Sequence, residues 1–380
     1  MKDKAPLAEE QRKGRHKKPM TILLVCLSLA ALAGIVLISF MLYRKAQMKK
    51  IPTMSFQDCL TYTLGENSDG IITVGIIKDG EVSYTVYGEE GKELPHELHT
   101  YEIGSLTKTF TAALVQRAVG EGKIKLDDTL DKYLSLPAEN KYPTISQLLT
   151  HASGFKGYYF ESPMIGNFLS GRNDFCGITD EMVLNKLESL DIKEKDHPFE
   201  YSNYGYAVLG RVLEKVYGEE YTSLINSFAA ELGLSATYIS DGKGDLGSYW
   251  DWQEDDAYMS AGALTSNIED MLKYAQYQLD GGELFGECHK VIKEITATTE
   301  DNGLMGIRMD SIGLAWISDE ENGIVWHNGA TGDYNCYLGF CPESGTAVVI
   351  LSNLALSYRI PATVMGVKLL TEINETENVQ

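Results

Sequence analysis

Hydrophobic residues divide this chain into one unbroken run and a series of shorter periodic ones. Met20 to Tyr43 (MTILLVCLSLAALAGIVLISFMLY) is 24 residues without a charge. At about 1.5 Å per helical residue that length covers the roughly 30 Å hydrocarbon layer of a bilayer. The apolar core of a signal peptide is only about 7–15 residues and ends at a small-residue cleavage site. This run is longer and meets Arg44-Lys45 directly, so it reads as an uncleaved anchor. Ile71–Tyr87 (IITVGIIKDGEVSYTVY) holds two β-rich stretches around Lys78-Asp79-Gly80-Glu81, which predicts a hairpin. From Ser105 the spacing turns helical: Phe110, Ala113, Leu114, Arg117 and Ala118 recur three or four apart, and Gly120-Glu121-Gly122 stops the helix. Helices are predicted again over Tyr204–Tyr217 and, behind the cap-like Ser266-Asn267, over Ile268–Leu279. Strands return at Gly313–Ser318, Gly323–His327, Asn335–Phe340 and Thr346–Ser352, with a turn at Pro342-Glu343-Ser344-Gly345, and a helix over Pro361–Ile373 closes the chain.

Strands at both ends with helices between them predict an α+β fold. N- and C-terminal strands would share one antiparallel sheet flanked by helices, with a helical lobe in the middle. The expected divisions are a basic tail (1–19), a transmembrane anchor (20–43), a stalk (44–55), one catalytic domain (56–373) and a polar tail (374–380).

Charge sharpens this division. Residues 1–19 carry seven Lys/Arg against three acids, and 44–50 carry four more cations. Residues 51–380 are left with 22 cations against 51 anions, a net of −29. An anionic body repels phosphate backbones, which argues against nucleic-acid binding. The cation excess before the span predicts a single-pass protein in the cell membrane, N-terminus inside and body outside. The six cysteines show no Cys-x-x-Cys or zinc-ligand spacing, and neither a disulfide framework, a metal nor a cofactor is indicated.

Three short motifs carry the candidate chemistry. Ser-x-x-Lys puts both residues on one face of a helix, where a partly neutral lysine can take the serine proton. It occurs as Ser105…Lys108, Ser153…Lys156 and Ser240…Lys243. Only Ser105 opens a periodic helix; the other two sit in loops that cannot align the groups. Tyr201-Ser202-Asn203 supplies a phenol able to shuttle protons and an amide able to orient a lysine, or simply an aromatic and a capping Asn. His327-Asn328-Gly329, before Ala330-Thr331-Gly332, places a donor and a glycine on an edge strand beside which an extended substrate can lie, with a backbone N–H nearby for an oxyanion. A turn-flanking histidine is the plainer alternative.

The three motifs occur in one order, 96 and then 126 residues apart. Together with YEIGSLTKTFTAAL, TISQLLTHASGF and WHNGATGDYNCYLGFCPESGTAVVILSN, they make residues 56–372 resemble the serine β-lactamase-like family, in its class C β-lactamase and D-alanyl-D-alanine carboxypeptidase branch. The resemblance implies Ser105 as acylated nucleophile, Lys108 as its activator, Tyr201 as partner acid and base, and Asn203 as a lysine and substrate contact. His327 matches a position that is lysine in most β-lactamases, and Gly329 and Ala330 follow it. The N–H groups of Ser105 and Ala330 would form the oxyanion hole. Histidine for lysine removes a permanent cation, and Asp333 adds a negative charge; both shift the expected substrate from β-lactams toward peptides or esters.

The expected function is therefore a membrane-anchored extracytoplasmic serine hydrolase forming an acyl-enzyme at Ser105, D-Ala-D-Ala carboxypeptidase-like or a related peptidase. The alternatives are an esterase, amidase or β-lactamase, and a penicillin-binding sensor that acylates without turnover. The partners are a small peptide, ester or β-lactam substrate and, through residues 20–43, the membrane. His96-Glu97-Leu98-His99 has its histidines three apart behind Pro95 and reads as a solvated loop, not a metal site. Trp250 to Asp256 reads as an exposed loop with aromatic anchors, the alternative being a cluster that lines a substrate cleft or binds a cation.

Overall fold

The computed structural model describes residues 17–192 and 197–377. The tail at 1–16 and residues 378–380 lie outside the described residues. The chain divides into two compact units, Met1–Met54 and Ser55–Gln380.

In the first unit one helix of 32 residues, Lys17–Met48, contains the whole apolar run. It continues through Arg44–Met48, which the sequence assigns to a stalk. Among the described residues no helix is long and apolar enough to cross a membrane. Several side chains of the run, including Met20, Leu24 and Phe40, lie outside those described.

The second unit begins where Ser55 caps the helix Phe56–Leu64: its Oγ accepts from Asp58 N, and Asp58 returns the bond to Ser55 N. The predicted hairpin follows as β1 (Ile72–Lys78) and β2 (Glu81–Tyr87). Its turn residues Asp79 and Gly80 have φ of 53° and 77°, the left-handed pair that a two-residue hairpin turn needs. Three short strands, β3 (Tyr101–Glu102), β4 (Tyr238–Ile239) and β5 (Leu264–Ser266), form a small sheet in the order β3-β5-β4.

The C-terminal strands are β6 (Lys293–Glu294), β7 (Ser311–Ile312), β8 (Ile317–Asp319), β9 (Ile324–Ala330), β10 (Asn335–Cys341) and β11 (Thr346–Ser352). They join the hairpin in one sheet ordered β2-β1-β11-β10-β9-β8-β7-β6. First and last strands pair antiparallel, Ile72 opposite Ser352, as the strand distribution predicts. Of the expected strand Gly313–Ser318, Ile317 and Ser318 open β8, while Gly313 to Trp316 form a turn between β7 and β8, closed by Gly313 N donating to Trp316 O and by Ala315 at φ 70°.

All seven positions of β10 and of β11 are buried, because helices cover both faces. The terminal helix Ala362–Glu377 presses Gly366 onto Tyr337 of β10, and Ile268–Asp280 lays Ile268 and Leu272 against Gly75 of β1. The helical lobe centres on Thr107–Gly120, buried at every position from Thr107 to Val115, and on Asn203–Tyr217. Phe110 stacks on Tyr274 at 3.9 Å between ring centroids, joining that lobe to the helix behind the sheet. All six cysteines are free thiols.

Candidate active site

Ser105 sits in a single 3-10 turn, Gly104–Leu106, that runs into the helix Thr107–Gly120. Lys108, one turn on, is fully buried, and its Nζ lies 2.9 Å from Ser105 Oγ, 2.7 Å from Asn203 Oδ1 and 2.6 Å from Ala261 O. Desolvation drives its ammonium pKa well below the ordinary lysine value. A neutral amine fits these three contacts. Its two hydrogens go to Asn203 Oδ1 and Ala261 O, and its lone pair faces the Ser105 hydroxyl. The other Ser-x-x-Lys pairs do nothing similar. Ser153 Oγ accepts from Phe155 N, Ser240 Oγ donates to Trp250 O, and Lys243 pairs with Asp241 at 3.7 Å.

The Tyr-Ser-Asn segment divides its labour differently from the expected capping Asn. Ser202 is the N-cap: its Oγ accepts from Gly205 N at 2.9 Å and donates to Lys156 O at 2.7 Å. Asn203 is thus the first residue of the helix, and its amide is left for Lys108. The Lys108 Nζ stands 4.8 Å from the centre of the Tyr201 ring, and the Tyr201 hydroxyl hydrogen-bonds Ser105. Tyr201 keeps 37% of its surface open, yet its hydroxyl end is desolvated. That raises the phenol above its ordinary range, with the Ser105 bond opposing.

Strand β9 lies inside the sheet, not at its edge, which corrects the expectation for His327. The β8 ladder, however, reaches only Trp326. From His327 to Ala330 that side of β9 extends past its neighbour, so a local edge remains. His327 is buried, with its ring 6.4 Å from that of Tyr201 and its Nδ1 2.6 Å from Asn328 O. Burial first, and then the Lys108 charge, push its pKa down to about 3, so the imidazole is neutral at pH 7.

The end of β9 meets the nucleophile turn backbone to backbone. A Cβ on Gly329 would fall 1.9 Å from Ile103 O and 2.9 Å from Ser105 N, and one on Gly104 (φ 47°) would fall 2.7 Å from Ala330 N. Only glycine allows this approach. It brings the backbones of Ser105 and Ala330 close together, the approach that an oxyanion hole built from their N–H groups would need.

Two residues lie within the family-like segments YEIGSLTKTFTAAL and TISQLLTHASGF but outside the three short motifs. Glu102, buried at the end of β3, accepts from Thr331 Oγ1 and from Trp250 N, each at 2.6 Å. It ties the approach to Ser105 to the loop after Ala330, and burial pushes its carboxyl up to about 7. His151 holds the Tyr201 segment: its Nδ1 accepts from Ser202 N at 3.1 Å, and its ring lies 4.4 Å from that of Tyr201. Its φ is 54°, an uncommon conformation for a side-chain-bearing residue. Neither residue belongs to a motif with readable spacing. Trp250 stands beside the site, as the cleft-lining alternative for its loop expects, its Nε1 3.0 Å from where a Cβ of Gly332 would lie. His99 is not free in solvent, since it pairs with Asp245 at 2.7 Å. Among the described residues no group of three or more His, Cys, Asp or Glu is placed to hold a metal.

Several known proteins resemble this chain. "Protein flp" of Staphylococcus aureus is 24% identical over 315 residues, covering 74% of this chain, which spans 59% of that relative's length. A β-lactamase/D-alanine carboxypeptidase from Yersinia pestis superposes with a TM-score of 0.64 at 19% identity, over 87% of this chain and 99% of its own. A D-stereospecific amidohydrolase from Streptomyces gives 0.61 at 19% identity, over 81% and 96%. These likenesses bear on the fold. The sequence model of the Beta-lactamase family matches residues 50–362, a span that holds the serine, lysine, tyrosine and histidine just described, and the chain belongs to that family.

Proposed function

We propose that the protein is a membrane-anchored, extracytoplasmic serine hydrolase that forms an acyl-enzyme at Ser105 on esters or amides without a carboxylate at the leaving end. The observation that carries this reading is Lys108: a fully buried amine whose described partners are a serine, an amide and a carbonyl, with no carboxylate to keep it charged.

Lys108 Nζ takes the Ser105 proton as Oγ bonds to the acyl carbon. The carbonyl electron pair moves onto oxygen, toward the N–H groups of Ser105 and Ala330. When the intermediate collapses, the bond to the leaving group breaks, and the proton passes by way of the Tyr201 hydroxyl to the departing alkoxide or amine. Water then attacks the acyl carbon, giving a proton to the Lys108–Tyr201 pair; the bond from that carbon to Ser105 Oγ breaks, the pair passes the proton to Oγ, and the acid is released. Proton transfers of this kind contribute about 10²–10⁴ in rate and each oxyanion donor about 10²–10³. The neutral His327 offers a hydrogen bond but no charge for a substrate carboxylate, and Asp333 is near enough to raise Glu102.

The 24-residue apolar run supports the anchor, and the cation excess ahead of it supports a body outside. A second reading, D-Ala-D-Ala carboxypeptidase, is favoured by the unpaired edge of β9, where a peptide strand could lie, and by the name of the Yersinia neighbour, a β-lactamase/D-alanine carboxypeptidase.

Intact-mass analysis after a fluorophosphonate probe, beside Ser105→Ala, tests the nucleophile; an adduct that survives in the variant overturns it. Turnover of nitrophenyl esters with no D-Ala released from peptides ending in D-Ala-D-Ala supports the first reading, and the reverse pattern the second. One equivalent of product without a steady state would mark a sensor.

A further inference from the structure

One apolar surface beside the site remains unexplained by the acyl-enzyme chemistry. The helix Pro163–Ser170 (PMIGNFLS) turns large side chains outward. Ile165, Phe168 and Leu169 are 55%, 79% and 78% exposed, and Tyr158 and Phe160 just before the helix are 54% and 66% exposed. Contiguous apolar exposure on this scale marks a surface that something covers in use. The side chains are not splayed. With Phe175 they line a groove of about 390 Å³ whose only acidic liner is Asp174, within the roughly 300–1,000 Å³ range of small-molecule pockets.

Residues of the groove, or next to it in sequence, pack against residues of the catalytic site on two sides. Gly157, next to Tyr158, packs against Tyr201: its O accepts from Tyr204 N at 3.1 Å, and a Cβ there would lie 3.3 Å from Tyr201 O. On the other side Phe175 stands edge-on to Trp250 at 6.4 Å, and Trp250 flanks Gly332 just past the oxyanion residue. A substrate acylating Ser105 beside Tyr201 and Trp250 would thus have the Pro163–Ser170 groove next to it. A strongly anionic body with one acid in the groove disfavours an anionic occupant.

Building on the acyl-enzyme reading above, we propose that this groove binds an uncharged alkyl or acyl chain of the substrate, so that the substrate class is an ester or amide bearing a chain of about six carbons or more.

The test uses the full-length chain in lipid nanodiscs with nitrophenyl acetate, butyrate and octanoate, beside the double variant Phe168→Asp, Leu169→Asp, whose positions are too exposed to threaten folding. In the native protein kcat/KM for octanoate should exceed that for acetate by at least about tenfold, the lower end of what one methylene gives in an apolar pocket. In the variant the ratio should fall to within about twofold. A flat series in the native protein, or an unchanged ratio in the variant, overturns the proposal. So does an unchanged ratio accompanied by altered vesicle binding or altered mass by light scattering, which would assign the surface to the bilayer or to a second copy. Fluorophosphonate labelling of Ser105 is run alongside. Labelling with a flat series sinks only the groove, whereas no labelling sinks the acyl-enzyme reading as well.

Discussion

Replacing Gly329 by alanine tests the oxyanion hole at the point where it is assembled. The added methyl would lie 1.9 Å from Ile103 O, 2.9 Å from Cys336 Sγ and 2.9 Å from Ser105 N. Ordinary contact begins at 3.4 Å, so the two backbones must part by about 1.5 Å. Neither side yields easily. Ile103 N is bonded to Leu264 O and Cys336 Sγ donates to Ile103 O, while Gly329 is paired with Cys336 across the sheet. Oxyanion donors act over about 2.7–3.1 Å, and losing one lowers kcat by about 10²–10³, or about 2.7–4 kcal/mol. The assay is stopped-flow hydrolysis of nitrophenyl acetate, with the melting temperature of the same preparation. The expected result is a fall of that size in kcat, a KM within about fivefold of native, and a folded protein. A folded Gly329→Ala enzyme whose kcat stays within about tenfold of native would refute the assignment of the hole to Ser105 and Ala330.

Three further outcomes follow from the site and the fold. Lys108→Met keeps the volume and removes the base, and kcat/KM should drop by about 10²–10⁴; a loss under tenfold would move the base to Tyr201. Glu102 holds a proton in the folded state from its ordinary value near 4.5 up to about 7. The fold therefore binds more protons than the unfolded chain in that window, and stability falls as pH rises through it. Relative to Glu102→Gln, native protein should lose about 3 kcal/mol between pH 4.5 and 7.5; parallel melting curves for the two would contradict this. Arg211 is buried between Asp180 and Glu214, the latter at 2.7 Å. Arg211→Leu strands both carboxylates and should cost about 3 kcal/mol in a urea melt, the low end for a broken buried pair because both acids keep some solvent; a cost below about 1 kcal/mol would show that the pair is already screened.

Much of the fold can be read from residue order because periodicity and turn chemistry act locally. Asp79-Gly80 demands a hairpin, and Asn267 caps Ile268–Asp280 by accepting from Asp270 N. Thr346–Ser352 is a strand over the residues that its run of buried apolar positions predicts. Gly313–Ser318 misleads because two of its apolar residues, Leu314 and Trp316, are buried by a turn and not by a strand. At the site, Ser105 and Lys108 are legible since three residues on a helix fix their geometry. Ser202 takes the cap that Asn203 might have filled, and sequence alone does not rank two polar neighbours at a helix start. Glu102 and His151 fall within segments that carry the family resemblance, yet their roles are not legible there, for a deeper reason. Each acts through groups brought near by folding, Thr331 and Trp250 for one and Ser202 for the other, and no local spacing encodes such contacts.

The meeting of the nucleophile turn with the end of β9 also sets a clock. Ile103 and Cys336, in contact there, are 233 positions apart, and the sheet closes only when Ser352 pairs with Ile72. At a synthesis rate of about 5–20 residues per second, Ser105 and Lys108 precede the strand that completes them by roughly 10–50 s. Long-range strand pairing then adds its own delay, because loop entropy is lost before contacts repay it. Throughout that interval Lys108 is hydrated and protonated, and no second N–H waits for an oxyanion. On the acyl-enzyme reading, the nascent chain would be chemically silent toward esters, and hydrolysis would switch on only when the last strand arrives.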